Sequence, residues 1–307
     1  MLRKGIDDSL TDNGRTEVIV KSEGLLGELK ITDELMKAPD GSPFYARKLH
    51  VNNIAQNYVF RDAPQFSLLY YVNFTRHLLN ALPPKKSALL VGLGAGSLYA
   101  ILKNQGMHVE TVEIDQRMYD FGVKYFQMPP HEDHTITDGR YFVNTTRKKY
   151  DLMILDVIIG ENVAGQLLTQ ESFKKVYDFL DKDGILIVEH GGLTDIAGNQ
   201  LIPSVIKTLK SVGFQVRLFN PLMSDKFGDV LFLATKQKLS FIKDTFPGDF
   251  LMKGRSFKEA ELPVDRFEHK TATILTDDKN NSDLLLKSHY FQIRENFRNY
   301  LTKTSKS

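Results

Sequence analysis

The stretch Ser87–Gly96, SALLVGLGAG, constrains this chain more than any other. A short apolar run, Ala88 to Val91, ends in glycines at alternate positions, Gly92, Gly94 and Gly96. A helical pattern starts at Ser97, with Leu98, Ile101 and Leu102 on one face. Strand, glycine turn and helix in that order bring backbone N–H groups and a helix N-terminus against a nucleotide-like ligand. Glycine suits the turn because a side chain would block that approach and because the turn needs φ/ψ values other residues avoid. Such turns also occur where nothing binds, so the surrounding sequence decides.

Beyond Ser97, strands and helices alternate. HVETVEID (108–115) reads as a buried strand and is followed by a helix carrying Met118, Phe121 and Tyr125. HTITD ends at Asp138, and YDLMILD runs from Tyr150 to Asp156. A helix with Phe173, Val176, Tyr177 and Leu180 precedes GILIVEH, and one with Leu201, Ile202, Val205, Ile206 and Leu209 follows it. The alternation predicts a parallel sheet with helices on both faces. The last two strands, near 214–219 and 229–235, have no helix between them, which predicts a terminal antiparallel hairpin. The expected fold is therefore α/β, a Rossmann-like, mostly parallel sheet of seven strands. That ending favours an S-adenosyl nucleoside over NAD, whose two-half fold needs another strand–helix–strand set.

Ahead of this lies a different pattern. From Thr16 to Phe60 short alternating runs are separated by Gly24, Gly27 and the cluster Asp40-Gly41-Ser42-Pro43, which predicts a small antiparallel sheet of three to five strands. Phe66 to Leu82 has a helical period, with Phe66, Tyr70, Tyr71 and Phe74 expected in the core. The expected division is a loose start (1–16), a β-domain (17–65), a nucleoside-binding domain (66–240) and a charged, helical C-terminal extension (241–307).

Composition narrows the function. A net charge of +2 gives no argument for nucleic acid as a partner. The absence of cysteine excludes disulfides, thiolate metal sites and a cysteine nucleophile. His131, His134 and His190 are scattered without ligand spacing, so no metal is expected. No apolar run is long enough for a bilayer and the first residues lack a signal-peptide core, so a cytoplasmic protein without a membrane partner is expected.

Carboxylates stand at successive strand ends: Glu113 and Asp115, Asp138, Asp156 and Glu189. Ligands of an open parallel sheet bind outside those ends. Asp115 is expected to cap the next helix, and Ser97 likewise. Glu113 closes its strand about twenty residues after the glycines, where a carboxylate accepts hydrogen bonds from ribose hydroxyls. Asp138, before Gly139, is either an Asp-Gly turn or a partner for an adenine amino group. Asp156 follows the apolar run 152–155, and a carboxylate at the mouth of a buried strand needs a partner or a chemical role.

The runs VGLGAGSL, VEID, TDGRYFV, YDLMILD, LLTQESFKKV and LDKDGILIVEHGG resemble the spermidine synthase-like family, and so do the small β-domain and the late TDDxN segment at Thr276–Asn280. The likeness spans roughly residues 18–290 and points to the branch with GLGxGSL. It implies the class I methyltransferase fold. Family members move an aminopropyl group from decarboxylated S-adenosylmethionine to an amine such as a polyamine, and are often homodimers. The resemblance places the nucleoside at Gly92, Gly94, Ala95, Gly96, Ser97, Glu113, Asp138 and Gly139. It makes Asp156 the residue that orients and deprotonates the attacking amine, with Tyr70, Tyr71 and Glu161 as acceptor candidates. A lid role for the Asp277–Asp278 loop would also follow from it.

Two departures stand out. The family's glycine motif, GGGDGG, carries an aspartate where this chain has Ala95, and its acceptor motif continues with an aspartate and a proline where this chain has Ile159 and Gly160. A carboxylate at 95 would attract the lone ammonium of the decarboxylated donor and repel the carboxylate of S-adenosylmethionine, by about 4 kcal/mol at ~4 Å and an effective dielectric of ~20. Alanine removes that preference. The sequence thus leaves aminopropyl transfer, methyl transfer and a non-catalytic nucleoside binder as expectations to be weighed.

Overall fold

The computed structural model describes residues 11–286, apart from 25, 39, 160–161, 194–199, 225–226, 240, 242–245, 247–250, 253–254 and 269. Strands β1 (Thr11–Gly24), β2 (Gly27–Lys37), β3 (Pro43–Val51), β4 (Ile54–Phe60) and β5 (Ala63–Ser67) form an antiparallel sheet in sequence order. Asn52 and Asn53, both at positive φ (48° and 66°), make the tight turn between β3 and β4. Asparagine tolerates that conformation, and such two-residue turns match the twist of hairpin strands. The sheet opens earlier than expected, at Thr11, and closes later. Its last strand takes Phe66, which is 49% exposed rather than in the core. Ser67 pairs with Val59 there, and Leu69 is still extended, so the helix cannot begin before Tyr70.

Helix α1 (Tyr70–Ala81) leads into the alternating part: β6 (Ser87–Val91), α2 (Ser97–Asn104), β7 (His108–Glu113), α3 (Gln116–Tyr125), β8 (His134–Ile136), α4 (Gly139–Thr145) and β9 (Tyr150–Leu155). A two-strand ribbon, β10 (Ile158–Ile159) and β11 (Asn162–Val163), precedes α5 (Gln170–Phe179), β12 (Leu180–Leu193), α6 (Leu201–Val212), β13 (Gln215–Phe219) and β14 (Phe227–Thr235). Helix α7 (Phe257–Ala260) and strand β15 (Glu261–Leu262) follow.

The large sheet has the order β15-β13-β14-β12-β9-β6-β7-β8. Strands β12, β9, β6, β7 and β8 are parallel, and β14, β13 and β15 join antiparallel. The expected seven strands and terminal hairpin are present, with the two-residue β15 added at the edge. That strand lies in the stretch expected to be helical, and Arg217 holds it through paired bonds to Glu261, both 2.7 Å. Strand β6 after Ser87, β9 over 152–155 and β12 over 185–188 are unbroken apolar runs because helices cover both sheet faces. Leu89, Leu152, Met153, Ile185 and Ile187 are all fully buried. Each such side chain contributes about 1.5–3 kcal/mol through removal from water. A separate apolar cluster joins Leu29, Ile31, Leu49, Val51 and Val59 of the small sheet to Ala95, Met118 and Phe126, fixing that sheet against the glycine turn and α3. Among the described residues no helix is long and apolar enough to cross a membrane.

Candidate active site

Strand β6 has β7 on one side and β9 on the other. The chain therefore leaves β6 towards one flank and returns on the opposite one, which opens a crevice beyond its carboxyl end. The glycines sit at its mouth, each for its own reason. Gly92 has φ +88°, and a Cβ there would overlap the Asp156 backbone carbonyl. Gly96 has φ +84°, and a Cβ would lie 2.5 Å from Met128 Sδ. Gly94 has φ +54° and open space in front of it.

A cleft lined by Gly92, Gly94, Glu113, Asp138, Gly139 and Asp156 lies over this turn. Glu113 is buried, and its carboxylate is held by three backbone N–H groups: Leu93 donates to Oε2 at 3.0 Å, and Ile114 and Asp115 donate to Oε1 at 2.8 and 3.0 Å. Burial is the larger influence and leaves its pKa above the ordinary value, although the three donors pull it down. Asp115 caps α3, as its position suggested, by accepting the Arg117 N–H at 3.0 Å. Asp138 caps α4 through the Tyr141 N–H at 2.9 Å and also lines the cleft, so the cap and a place in the cleft wall coexist. Opposite Glu113, Asp156 Oδ2 accepts the Tyr71 hydroxyl at 2.9 Å.

Several expected site residues lie elsewhere. Ala95, Gly96 and Ser97 line a smaller hollow with Gln65, Phe126 and Met128 instead of the main cleft. The Ala95 methyl is 3% exposed and packs in the apolar cluster under the small sheet. Ser97 does not cap α2. Gly96 occupies the cap position, and the Ser97 hydroxyl accepts from Asn57 Nδ2 at 3.0 Å. Tyr70 is buried away from the cleft with Arg255 over its ring at 4.9 Å. It departs from Tyr71 because adjacent residues on a helix face different directions. Glu161 and Gly160 lie outside the described residues. His131 and His134 are not scattered: Thr111 Oγ1 lies 2.8 Å from one ring and 2.9 Å from the other. Among the described residues no group of three or more acidic or histidine side chains is placed to hold a metal.

The sequence reading missed the cleft's other walls. The small sheet contributes Leu26, Val51 and Gln56. Gln56 stands beside Asn57 in the middle of β4, two buried polar residues between Ala55 and Tyr58. On the far wall, Arg140 donates to the Gln166 carbonyl, to Thr169 Oγ1 at 2.7 Å, and through Nη1 and Nη2 to the Asp277 carboxylate at 3.0 and 2.6 Å. Burial raises the Asp277 pKa, but the bonds from Thr169 and Arg140 and the arginine charge outweigh it and hold the carboxyl below its ordinary value. The late TDDxN segment is thereby pinned beside Gln166 and Leu167, which line the cleft.

A parallel sheet covered on both faces, a glycine turn at its switch point, an acidic residue closing the next strand and an ending in which β14 joins antiparallel beside β12 and β13 together make the class I methyltransferase-like fold. Within that class, this chain belongs to the spermine/spermidine synthase domain family, whose domain matches residues 71–242. It is 29% identical over 199 residues to an N-terminal histidine N-methyltransferase of Emericella nidulans, a match covering 61% of this chain and 35% of that protein. It is 32% identical over 133 residues to a polyamine aminopropyltransferase of Saccharolobus islandicus, covering 39% of this chain and 44% of that one. The chain thus spans less than half the length of these two curated relatives. The crystal structure of a probable spermidine synthase from Corynebacterium glutamicum aligns with a TM-score of 0.63 at 15% identity, over 85% of this chain and 96% of that one. A spermidine synthase solved with the transition-state analogue AdoDATO aligns at 0.50 and 18% identity, over 89% and 88%.

Proposed function

We propose that this chain is a transferase that moves the alkyl group of an S-adenosyl nucleoside onto an amine-type nitrogen of a small acceptor. The observation that carries the reading is the pair of carboxylates flanking Gly92. Glu113 stands at the end of β7 and Asp156 just beyond the end of β9, on opposite sides of the same turn. Glu113 is fixed by backbone donors and suited to accept from a ribose diol. Asp138 and Gly139 sit where an adenine edge would lie, and Gly94 leaves room for the sulfonium arm. The relatives, named as aminopropyl and methyl transferases, support the class of reaction.

In this reading Asp156 accepts a hydrogen bond from the acceptor amine and takes its proton. The nitrogen lone pair attacks the carbon bonded to sulfur in line, the carbon–sulfur bond breaks, and its electron pair stays on sulfur as a neutral thioether. Positioning of this kind lowers the barrier because both reactants are held in near-attack geometry. Proton removal by a placed base adds about 10²–10⁴ in rate.

The glycine turn itself brings no carboxylate to the cleft to pair with the lone ammonium of a decarboxylated donor, which favours S-adenosylmethionine, and so methyl transfer. Thermal stabilisation by S-adenosylmethionine, its decarboxylated form, S-adenosylhomocysteine, methylthioadenosine and NADH tests both levels. A ligand at 100 times its dissociation constant adds about 2.7 kcal/mol. Stabilisation by S-adenosylmethionine and S-adenosylhomocysteine is expected. Preference for the decarboxylated donor and methylthioadenosine would make aminopropyl transfer the reaction, and no response to any S-adenosyl nucleoside would overturn the reading.

A further inference from the structure

Leu26 lines the cleft from the tip of the β1–β2 turn, far in sequence from the glycine turn and from the carboxylates of the donor site. A turn tip is ordinarily among the least constrained parts of a sheet. Here its backbone is gripped from two sides. Asn52 Nδ2 donates to the Leu26 carbonyl at 3.0 Å, and Asn52 Oδ1 accepts the Glu28 N–H at 3.1 Å. From the opposite domain, Arg117 Nη1 donates to the Ser22 carbonyl at 2.7 Å, and Nη1 and Nη2 reach the Gly27 carbonyl at 3.3 and 3.2 Å.

Arg117 is itself held by Asp115. Its Nη2 lies 2.6 Å from Oδ2, and its Nε lies 3.0 Å from Oδ1. The two side chains are 18% and 5% exposed. Asp115 in turn donates its backbone N–H to Glu113 Oε1 at 3.0 Å. Hydrogen bonds thus link the carboxylate assigned to the ribose, through the backbone and side chain of Asp115 and then Arg117, to the Ser22 and Gly27 carbonyls on the two arms of the turn that carries Leu26. Space for the guanidinium is made at Gly24, where a Cβ would come 2.5 Å from Arg117 Cζ.

We infer that Arg117 is a positioning residue that sets the Leu26 wall over the Glu113 side of the donor cleft, and so governs affinity for the nucleoside. The inference rests on the reading of that cleft as an S-adenosyl-nucleoside site. The physical reason is twofold. The planar guanidinium serves one carboxylate and two carbonyls at once, which a lysine ammonium cannot do in the same geometry. An apolar wall at Leu26 excludes water, and a hydrogen bond from a ribose hydroxyl to Glu113 is stronger when water is excluded.

The test is calorimetric titration of the full chain with S-adenosylhomocysteine and with methylthioadenosine, for the unmodified protein and for Arg117→Lys, Leu26→Ala, the double variant and Arg47→Lys. Arg47 also ties the small sheet to α3, donating to the Tyr125 carbonyl at 2.8 Å, but it does not line the cleft. Arg117→Lys and Leu26→Ala are each expected to weaken nucleoside binding about tenfold, the range for one lost apolar contact in a pocket. The double variant should be no weaker than the worse single one, because both changes remove the same wall. Arg47→Lys should lower the melting temperature and leave the affinity alone. If Arg117→Lys does not fold, Gly24→Ala displaces the guanidinium from the other side and should give the same loss. Unchanged affinity in the Arg117 variant, additive losses in the double variant, or an equal loss in Arg47→Lys would each overturn the inference. Failure of the unmodified protein to bind either nucleoside would instead overturn the donor-site reading, and the inference with it.

Discussion

The Tyr71 hydroxyl donates to Asp156 Oδ2 at 2.9 Å, joining helix α1 to the end of β9 across 85 residues of sequence. One carboxylate oxygen is thereby given a fixed direction relative to the turn at Gly92. If Asp156 receives the acceptor's proton, Asp156→Asn should lower turnover by about 10²–10⁴. Tyr71→Phe removes a hydrogen bond to a charged group, about 1.5–3 kcal/mol, and should lower turnover about tenfold or more. Steady-state rates with saturating donor check both, and an Asp156→Asn variant with full activity would remove the residue from the mechanism.

Gly92 and Gly94 both have positive φ but should fail differently when replaced. Gly92→Ala drives a methyl into the Asp156 carbonyl in a rigid part of the sheet, and should cost about 3 kcal/mol or more, enough to lower expression as well as melting temperature. Gly94→Ala meets open space, so only the left-handed backbone is penalised, about 1–2 kcal/mol. Its methyl would project beside the cleft, so loss of nucleoside binding should exceed the loss of stability. Denaturant unfolding and ligand titration on the two variants separate the effects.

Ala95→Asp restores the aspartate of the family motif. In this chain the side chain at 95 lies among Leu29, Leu49, Val59 and Phe126, so a carboxylate would be buried without a partner. The expected outcome is a lower melting temperature, by several degrees, rather than a gain of preference for the decarboxylated donor. Thermal melts with both donors check this. A stable variant that prefers the decarboxylated donor would show that the position faces the ligand.

Arg140→Lys and Asp277→Asn test the opposite wall. Either change breaks the paired contact that fixes the TDDxN segment beside Gln166. Faster proteolytic cleavage near 275–286 is expected, with weaker nucleoside binding and little change in the rest of the fold. Limited proteolysis followed by mass spectrometry reads the first effect directly.

A pH dependence follows from His134. Burial, and then the neighbouring His131, lower its pKa from 6.5 to about 4. The folded protein thus keeps the ring neutral where the unfolded chain protonates it. Its contribution to stability is present above pH ~6.5 and is lost progressively as the pH falls towards about 4. His134→Phe keeps a ring against Tyr119, which stacks at 4.1 Å, and removes the titration. The variant's melting temperature should fall less steeply than that of the unmodified protein between pH 6.5 and 5.

The fold was legible wherever a local pattern was also the global one. The apolar runs of β6 and β9, the glycines and the alternation of strands with helices are properties of neighbouring residues. Glu113 and Asp156 could be found because a strand end puts a carboxylate in a predictable place. Other features depend on contacts between distant segments. Ser97 has the composition of a cap, but Asn57 claims its hydroxyl. Phe66 has helical spacing with Tyr70, yet pairing of Ser67 with Val59 draws it into a strand. Leu26, Arg117 and the bond between Arg140 and Asp277 carry no local signal, because each acquires its role only when the small sheet or the late segment docks.

The bond between Thr169 and Asp277 has a consequence in time. The two residues are 108 positions apart, so Asp277 is synthesised later by about 5–20 s at a ribosomal rate of ~5–20 residues per second. During that interval the glycine turn, Glu113 and Asp156 already exist in the nascent chain, while Arg140 has Asn144, the Gln166 carbonyl and Thr169 to hold but not yet the Asp277 carboxylate. The wall at Gln166 is therefore completed last, and nucleoside capture should trail the appearance of the sheet during translation.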